Sequence, residues 1–149
     1  MAALRVYFCG SIRGGREDRA VYERIIHELG KFGTVLTEHI ASPTLTDSGE
    51  DAAELGDRFI HDRDVQWLEA ADVVVAEVSQ PSLGVGYELG RAVAMNKKML
   101  CLFRPSSGRV LSAMIRGAEN GSSIRVRDYD PGEIEQLLLQ YFTVTFPAL

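Results

Sequence analysis

The sequence is poor in cysteine and histidine. Its 149 residues include two cysteines, Cys9 and Cys101, and each lies in a short apolar run, which favours buried reduced thiols and an intracellular setting over a disulfide framework. The three histidines, His27, His39 and His61, have no spacing to one another or to the cysteines that is typical of metal ligands. We therefore predict no metal centre and no cofactor.

Long apolar segments and an excess of positive charge are also missing. The N-terminus does not combine a charged segment with a long apolar one, and no stretch approaches the roughly 20 apolar residues that span a bilayer. The formal net charge of -5 argues against clamping of long nucleic acid, which requires a surplus of lysine and arginine. We expect no membrane and no polymeric nucleic acid as partner, whereas a small anionic ligand needs only a few local donors.

Short apolar runs alternate with longer amphipathic segments along what we expect to be one domain, residues 1–149, with its core at about 5–142. The pattern predicts strands at 5–9, 34–36, 72–77, 99–103 and 124–127, and helices at about 18–32, 57–70, 84–96, 109–116 and 131–142. Residues 42–56 are expected to form a long loop of the kind that often covers a site. The alternation predicts an α/β fold, a three-layer Rossmann- or flavodoxin-like sandwich with a five-stranded parallel sheet.

Folds of this class bind ligands beyond the carboxyl ends of the strands, and two glycine-rich turns lie there. The first strand is followed by Gly10, Ser11, Ile12, Arg13, Gly14 and Gly15. Free backbone N–H groups at such a turn favour a phosphate, but the segment is neither a dinucleotide-binding fingerprint nor a P-loop, so a monophosphate site and a plain turn both fit. The third strand leads into a second such turn, which contains Ser82, and the two turns are expected to face one crevice.

Three further residues suit the chemistry of a glycosidic bond, which classically takes two carboxyl groups. Glu88 lies in the first turns of a predicted helix, where the helix dipole favours the ionised form that a nucleophile needs; a solvated capping role is the alternative. Asp64 shares an apolar helix stripe, so it needs a donor or has the raised pKa of a general acid. Tyr7 on the first strand either orients the nucleophile or is a partly buried strand aromatic. His39 follows the second strand at the same edge.

Residues 7–15, 72–77, 81–91 and 103–117 resemble the 2'-deoxynucleoside 5'-phosphate N-hydrolases, vertebrate relatives of bacterial nucleoside 2-deoxyribosyltransferases. The resemblance extends from about Tyr7 to Phe142. It implies a Rossmann-like homodimer that releases a free base and 2-deoxyribose 5-phosphate from 2'-deoxynucleoside 5'-monophosphates, in the cytoplasm and nucleus. Residues 42–56 and 143–149 depart from the family pattern; the first segment bears on base preference, and the second is expected to be a tail.

The resemblance also implies roles for individual residues. Glu88 becomes the nucleophile that forms a covalent deoxyribosyl 5-phosphate intermediate, Asp64 the group that assists base departure, and Tyr7 an orienting residue. Substrate contacts are expected from Gly10, Ser11, Ile12, Arg13, Gly14, Gly15, His39, Ser82 and Met114. Ser112 is expected to reach the phosphate of the substrate in the neighbouring subunit.

Three other functions compete with this hypothesis. A deoxyribosyltransferase would use the same nucleophile but pass the sugar to a second base. A non-catalytic nucleotide-binding module would keep the pocket without needing a nucleophile that faces an acid. A flavodoxin-type redox role rests on the fold alone, and a fold does not fix a function.

Overall fold

The computed structural model describes residues 3–12, 18–37 and 56–149 of the chain. The strands are β1 Leu4–Cys9, β2 Gly33–Val35, β3 Val73–Glu77, β4 Lys98–Phe103 and β5 Ile124–Asp128. The helices are α1 Arg19–Leu29, α2 Asp57–Ala70, α3 Leu83–Ala94, α4 Ala113–Arg116 and α5 Ile134–Thr145, with 3₁₀ turns at Pro105–Ser107 and Pro131–Glu133. The positions Arg13, Gly14, Gly15 and His39 and nearly all of the expected loop at 42–56 lie outside the described residues.

The five strands form one sheet in the order β2-β1-β3-β4-β5, and every neighbouring pair is parallel. The predicted α/β fold with a five-stranded parallel sheet is thus confirmed, and the order is the flavodoxin-like one. The chain winds outward from β1 to β2 and then returns to place β3 on the other side of β1. Because the connections on either side of this reversal leave the sheet in opposite directions, a crevice opens beyond the carboxyl ends of β1 and β3.

The three consecutive valines of β3 explain the two apolar layers. Side chains alternate between the faces of a strand, so Val74 packs with α2 and α3, while Val73 and Val75 pack with α1 and α5. All three valines are fully buried, and each burial stabilises the fold by about 1.5–3 kcal/mol relative to an exposed side chain. The central strand therefore fixes which helices cover which face, and with them which face carries the site.

Several predicted boundaries are wrong, each for a local reason. The helix expected at 109–116 covers only Ala113–Arg116, because the side chain of Ser112 accepts a hydrogen bond from the backbone N–H of Met114 and begins the helix there. The final helix runs on to Thr145 where a tail was expected after residue 142, and the ring of Phe146 stacks on that of Phe142 at 5.9 Å. None of the helices in the described part of the chain is long and apolar enough to cross a membrane.

Candidate active site

A cleft of about 1130 Å³ opens at the β1–β3 reversal, on the face covered by α2 and α3. The structure brings together along it seven of the residues singled out from the sequence: Gly10, Ile12, Asp64, Ser82, Glu88, Ser112 and Met114. The rest of its wall is mostly apolar, with a small number of polar groups, as is typical of sites for small molecules. Two segments far apart in sequence, the β1 end and the segment around α4, therefore contribute to one cleft.

Tyr7 and Glu88 form a hydrogen-bonded pair beside this cleft. Tyr7 is fully buried within β1, and its hydroxyl donates to Oε2 of Glu88 on α3. Burial raises the pKa of the Tyr7 hydroxyl far above its usual value, and the nearby charge of Glu88 raises it further. The hydroxyl thus keeps its proton throughout the physiological range and acts as a fixed donor to the carboxylate.

Burial raises the pKa of the Glu88 carboxyl to about 7. The hydrogen bond from Tyr7 opposes this rise, and the negative charge of Asp64 adds to it. The sequence placed Glu88 where a helix dipole favours ionisation, but α3 begins at Leu83, so Glu88 lies in the second turn, beyond the reach of most of that effect. Desolvation dominates, and both protonation states of Glu88 are populated near neutral pH.

Asp64 lies on α2 with its side chain about three-quarters buried. Its Oδ1 accepts hydrogen bonds from Nε and Nη2 of Arg63, each at 3.0 Å. The guanidinium of Arg63 also lies over the ring of Trp67, 4.7 Å from the ring centroid. Sequence reasoning missed Arg63, although an arginine directly before a carboxylate on an apolar stripe was the signal that could have found the donor that Asp64 was expected to need.

A smaller cavity of about 150 Å³ adjoins the pair and is lined by Tyr7, Asp64, Glu88 and His61, among others. His61 contacts Asp62 through Nδ1 and the hydroxyl of Tyr87 through Nε2, each at 2.8 Å. Arg91 donates to the same hydroxyl at 3.1 Å. His61, which had no role in the sequence hypothesis, thus lines the site and is held there by Asp62 and Tyr87.

The two glycine-rich turns supply hydroxyl groups. Ser11 is fully buried, and its Oγ has no hydrogen-bond partner within the described residues. Ser82 caps α3: its Oγ accepts from the backbone N–H of Val85 at 3.2 Å, which leaves the hydroxyl proton available to a ligand. Gly10 must be glycine for a packing reason, because a β-carbon there would lie 2.8 Å from Cζ of Tyr22.

No group of three or more histidine, cysteine, aspartate or glutamate side chains among the described residues is arranged to hold a metal ion. The polar groups that the structure assembles are instead a carboxyl pair, a buried tyrosine hydroxyl and capped helix N-termini. A helix N-terminus binds anions through its free N–H groups, and two carboxyl groups serve nucleophilic and acid–base chemistry at a glycosidic carbon.

The amino-acid sequence matches a family of enzymes that act on nucleosides. Residues 6–121 match the model of the nucleoside 2-deoxyribosyltransferase family, and the chain belongs to this family. The resemblance inferred from the sequence is thus confirmed.

Particular relatives are more similar still. The chain is 68% identical over 143 residues to a 5-hydroxymethyl-dUMP N-hydrolase from Homo sapiens, covering 96% of this chain and 82% of that one. It is 66% identical over 140 residues to the protein of that name from Tetraodon nigroviridis, covering 94% and 98%. A solved structure of a Clostridium botulinum CMP N-glycosidase superimposes with a TM-score of 0.67 over 92% of this chain and 98% of that one, at 23% identity, and so shares the fold.

Proposed function

We propose that the protein hydrolyses the N-glycosidic bond of 2'-deoxynucleoside 5'-monophosphates, with Glu88 as the nucleophile. The class of enzyme, an N-glycosidase acting on nucleotides, follows from the relatives of high identity, which are N-hydrolases. The residue assignment rests chiefly on one observation: a carboxyl group with its pKa raised to about 7 accepts a hydrogen bond from a buried tyrosine at the topological switch point.

The 5'-phosphate is proposed to bind between the two glycine-rich turns. The buried hydroxyl of Ser11, the hydroxyl of Ser82 and the free N–H groups at the start of α3 are donors for it, and Arg13 is proposed to add a positive charge. Anchoring the phosphate fixes the deoxyribose so that C1' faces Glu88, which converts attack by the carboxylate into an effectively unimolecular step. A ribonucleotide is disfavoured because a 2'-hydroxyl makes the oxocarbenium-like transition state harder to reach.

The chemistry is proposed to run in two displacements. Ionised Glu88 bonds to C1' while the N-glycosidic bond breaks, its electron pair leaves with the base, and protonated Asp64 gives a proton to that base. Water then attacks C1', its proton returns to Asp64, and Glu88 leaves as a carboxylate, so the configuration at C1' is retained. The hydrogen bond from Tyr7 holds the carboxylate in place for both steps.

Relatives named for 5-hydroxymethyl-dUMP make that compound the first substrate to try. Because the cleft is wide and its lining is largely apolar, we propose that it admits a substituted pyrimidine beside the residues of α2. His39, after β2, is proposed to line the base side, as the resemblance implies.

We also propose a homodimer in which Ser112 reaches the neighbouring substrate. Large apolar side chains stand exposed beside the cleft: Leu83 is 96%, Val110 94% and Met114 85% exposed. An apolar rim of this kind is typical of a surface that a second subunit covers. Ser112 lies among these side chains, and its Oγ accepts from the N–H of Met114, so that its hydroxyl proton can be donated to a ligand.

The decisive experiment follows free base by chromatography after incubation with 5-hydroxymethyl-dUMP, other deoxynucleoside monophosphates, matching ribonucleotides and unphosphorylated deoxynucleosides. We expect release from deoxy monophosphates without an acceptor base, and none from Glu88→Gln, which keeps the fold. Release that requires an added base would identify a transferase. Nucleotide binding without release would favour the non-catalytic module, and normal turnover by Glu88→Gln would remove this residue as the nucleophile.

A further inference from the structure

A buried charged network lies beneath the cleft, on the opposite face of the sheet from Glu88. At its centre is Glu77, the last residue of β3, which is fully buried. Its Oε1 accepts from the backbone N–H of Ser79 at 2.7 Å. Its Oε2 accepts from the hydroxyl groups of Ser79 and Tyr129, at 3.0 and 2.5 Å, and from Nε of Arg104 at 3.1 Å. The proposed chemistry uses none of these groups.

Arg104 extends this network to a second carboxylate. Its Nη2 contacts Oδ1 of Asp18 at 2.5 Å, and the side chains of both residues are nearly nine-tenths buried. Asp18 directly precedes α1, and its carbonyl oxygen accepts the hydrogen bond from the N–H of Tyr22 that begins the helix. One guanidinium therefore joins the end of β3 to the start of α1, and we call Glu77, Arg104 and Asp18 with their partners Ser79 and Tyr129 the Glu77 network.

Stability alone is a poor explanation for such an arrangement. Removing charges from water costs most of what their attraction returns, and apolar side chains of similar volume often serve a fold equally well. An arginine that bridges two carboxylates does provide a fixed geometry. Its guanidinium is planar, and its N–H groups therefore set both the distance and the direction of each carboxylate.

The geometry that the network fixes is that of the two turns on either side of the switch point. Ser79 lines the cleft and stands three residues before Ser82. On the other side, Asp18 directly precedes α1, and Gly10 packs against the ring of Tyr22 in the first turn of that helix. Moving Arg104 would therefore free the start of α1, with Gly10 packed on it, to move relative to Ser79.

We propose that Glu77, acting through Arg104, is a positioning residue for the 5'-phosphate of the substrate. It fixes the end of β1 relative to the start of α3, and with them Gly10 and Ser82, which both line the cleft where the phosphate is proposed to bind. This inference rests on the proposed function, since it takes the anion between the turns to be the substrate's 5'-phosphate.

The test compares Glu77→Gln with the wild type on a deoxynucleoside 5'-monophosphate and on the same deoxynucleoside without phosphate. The amide loses the charge that Arg104 pairs with and presents an N–H₂ group toward donors. Calorimetric titration is expected to show the monophosphate binding weakened by about tenfold or more, the effect of losing a charge-assisted hydrogen bond, with binding of the nucleoside unchanged. KM for the monophosphate is expected to rise by a similar factor, with kcat much less affected.

Glu135→Gln is the matched control, because it removes the carboxylate that pairs with Arg24 of α1 at 3.0 Å on the surface. It should leave both affinities at the wild-type values. If a thermal melt shows that Glu77→Gln is not folded, Arg104→Lys takes its place, because it keeps the positive charge but cannot bridge two carboxylates. We expect this variant also to bind the monophosphate more weakly and the nucleoside as the wild type does.

Equal weakening of phosphorylated and unphosphorylated ligands, or no weakening in the folded variants, would overturn the positioning role. A wild-type protein that binds the nucleotides but releases no base would instead contradict the proposed function. The binding comparison would still measure the positioning role in that case, so the two failures are distinguishable.

Discussion

Replacing Tyr7 with phenylalanine tests how Glu88, the proposed nucleophile, is kept ionised. The substitution removes the hydroxyl that donates to Oε2 of Glu88 and leaves the ring in the core. A hydrogen bond to a charged group contributes about 1.5–3 kcal/mol, and one pKa unit corresponds to about 1.36 kcal/mol. Since this hydrogen bond lowers the pKa of Glu88, its loss should raise that pKa from about 7 by about 1 to 2 units.

The assay is the pH dependence of kcat/KM for a deoxynucleoside monophosphate, which reports ionisations of the free enzyme. Because Glu88 is proposed to attack in its ionised form, wild-type kcat/KM should rise with pH through about 7. In Tyr7→Phe the same rise should be displaced upward, so that at pH 7 the ionised fraction and the rate fall roughly 5- to 50-fold, with partial recovery at pH 9.

Tyr141→Phe serves as the control, because it deletes a hydroxyl from α5 on the opposite face of the sheet and should leave the profile in place. The reasoning would be refuted by a Tyr7→Phe profile that still rises through about 7, or by a loss of rate that is the same at every pH. The second result would mean that the hydroxyl orients the carboxylate without tuning its ionisation.

Two further predictions concern the same carboxyl groups. The raised pKa of Glu88 means that the folded protein binds its proton more tightly than the unfolded chain does, so its contribution to stability is present below about pH 4.5 and is lost as pH rises through about 7. The free energy of unfolding of Glu88→Gln relative to that of the wild type, measured in urea, should therefore rise by roughly 3 kcal/mol between pH 5 and pH 8. A difference that is equal at both pH values would contradict the buried-charge account. Asp64→Asn removes the group proposed to protonate the departing base, so kcat should fall by roughly 100- to 10,000-fold while nucleotide affinity stays near the wild-type value; a kcat close to that of the wild type would remove Asp64 as the acid.

The parallel sheet, and the edge of it at which the site lies, could be predicted from local patterns in the sequence. Three valines in β3 can be buried together only in a strand covered on both faces, which is why the central strand was predictable. Glu88 was singled out because it follows a glycine-rich turn in the first turns of a predicted helix, with Val85 and Ala92 at helical spacing. Its raised pKa was not predictable, because desolvation depends on the side chains that close over it from β1 and α2.

Polar contacts between residues far apart in the chain also could not be predicted from the sequence. Arg104 follows the predicted strand at 99–103, and nothing in its neighbours shows that it would reach Glu77, 27 positions earlier, and Asp18 before α1. A charged residue at the end of the apolar run of β3 was the available signal. The short helix at Ala113–Arg116 was overestimated because amphipathic spacing continues through Val110, which the structure leaves exposed.

The pairing of Tyr7 with Glu88 also has a kinetic consequence, because it joins residues 81 positions apart. Local turns and helices form early in folding, whereas contacts of high sequence separation carry a large loop-closure cost and form late. A chain in which α3 has already packed on β3 and β4, but β1 has not yet inserted between β2 and β3, would carry Glu88 in water as an ordinary carboxylate. The proposed nucleophile would therefore acquire its buried, hydrogen-bonded environment only when the first strand of the chain docks, and the regain of activity during refolding would time that event.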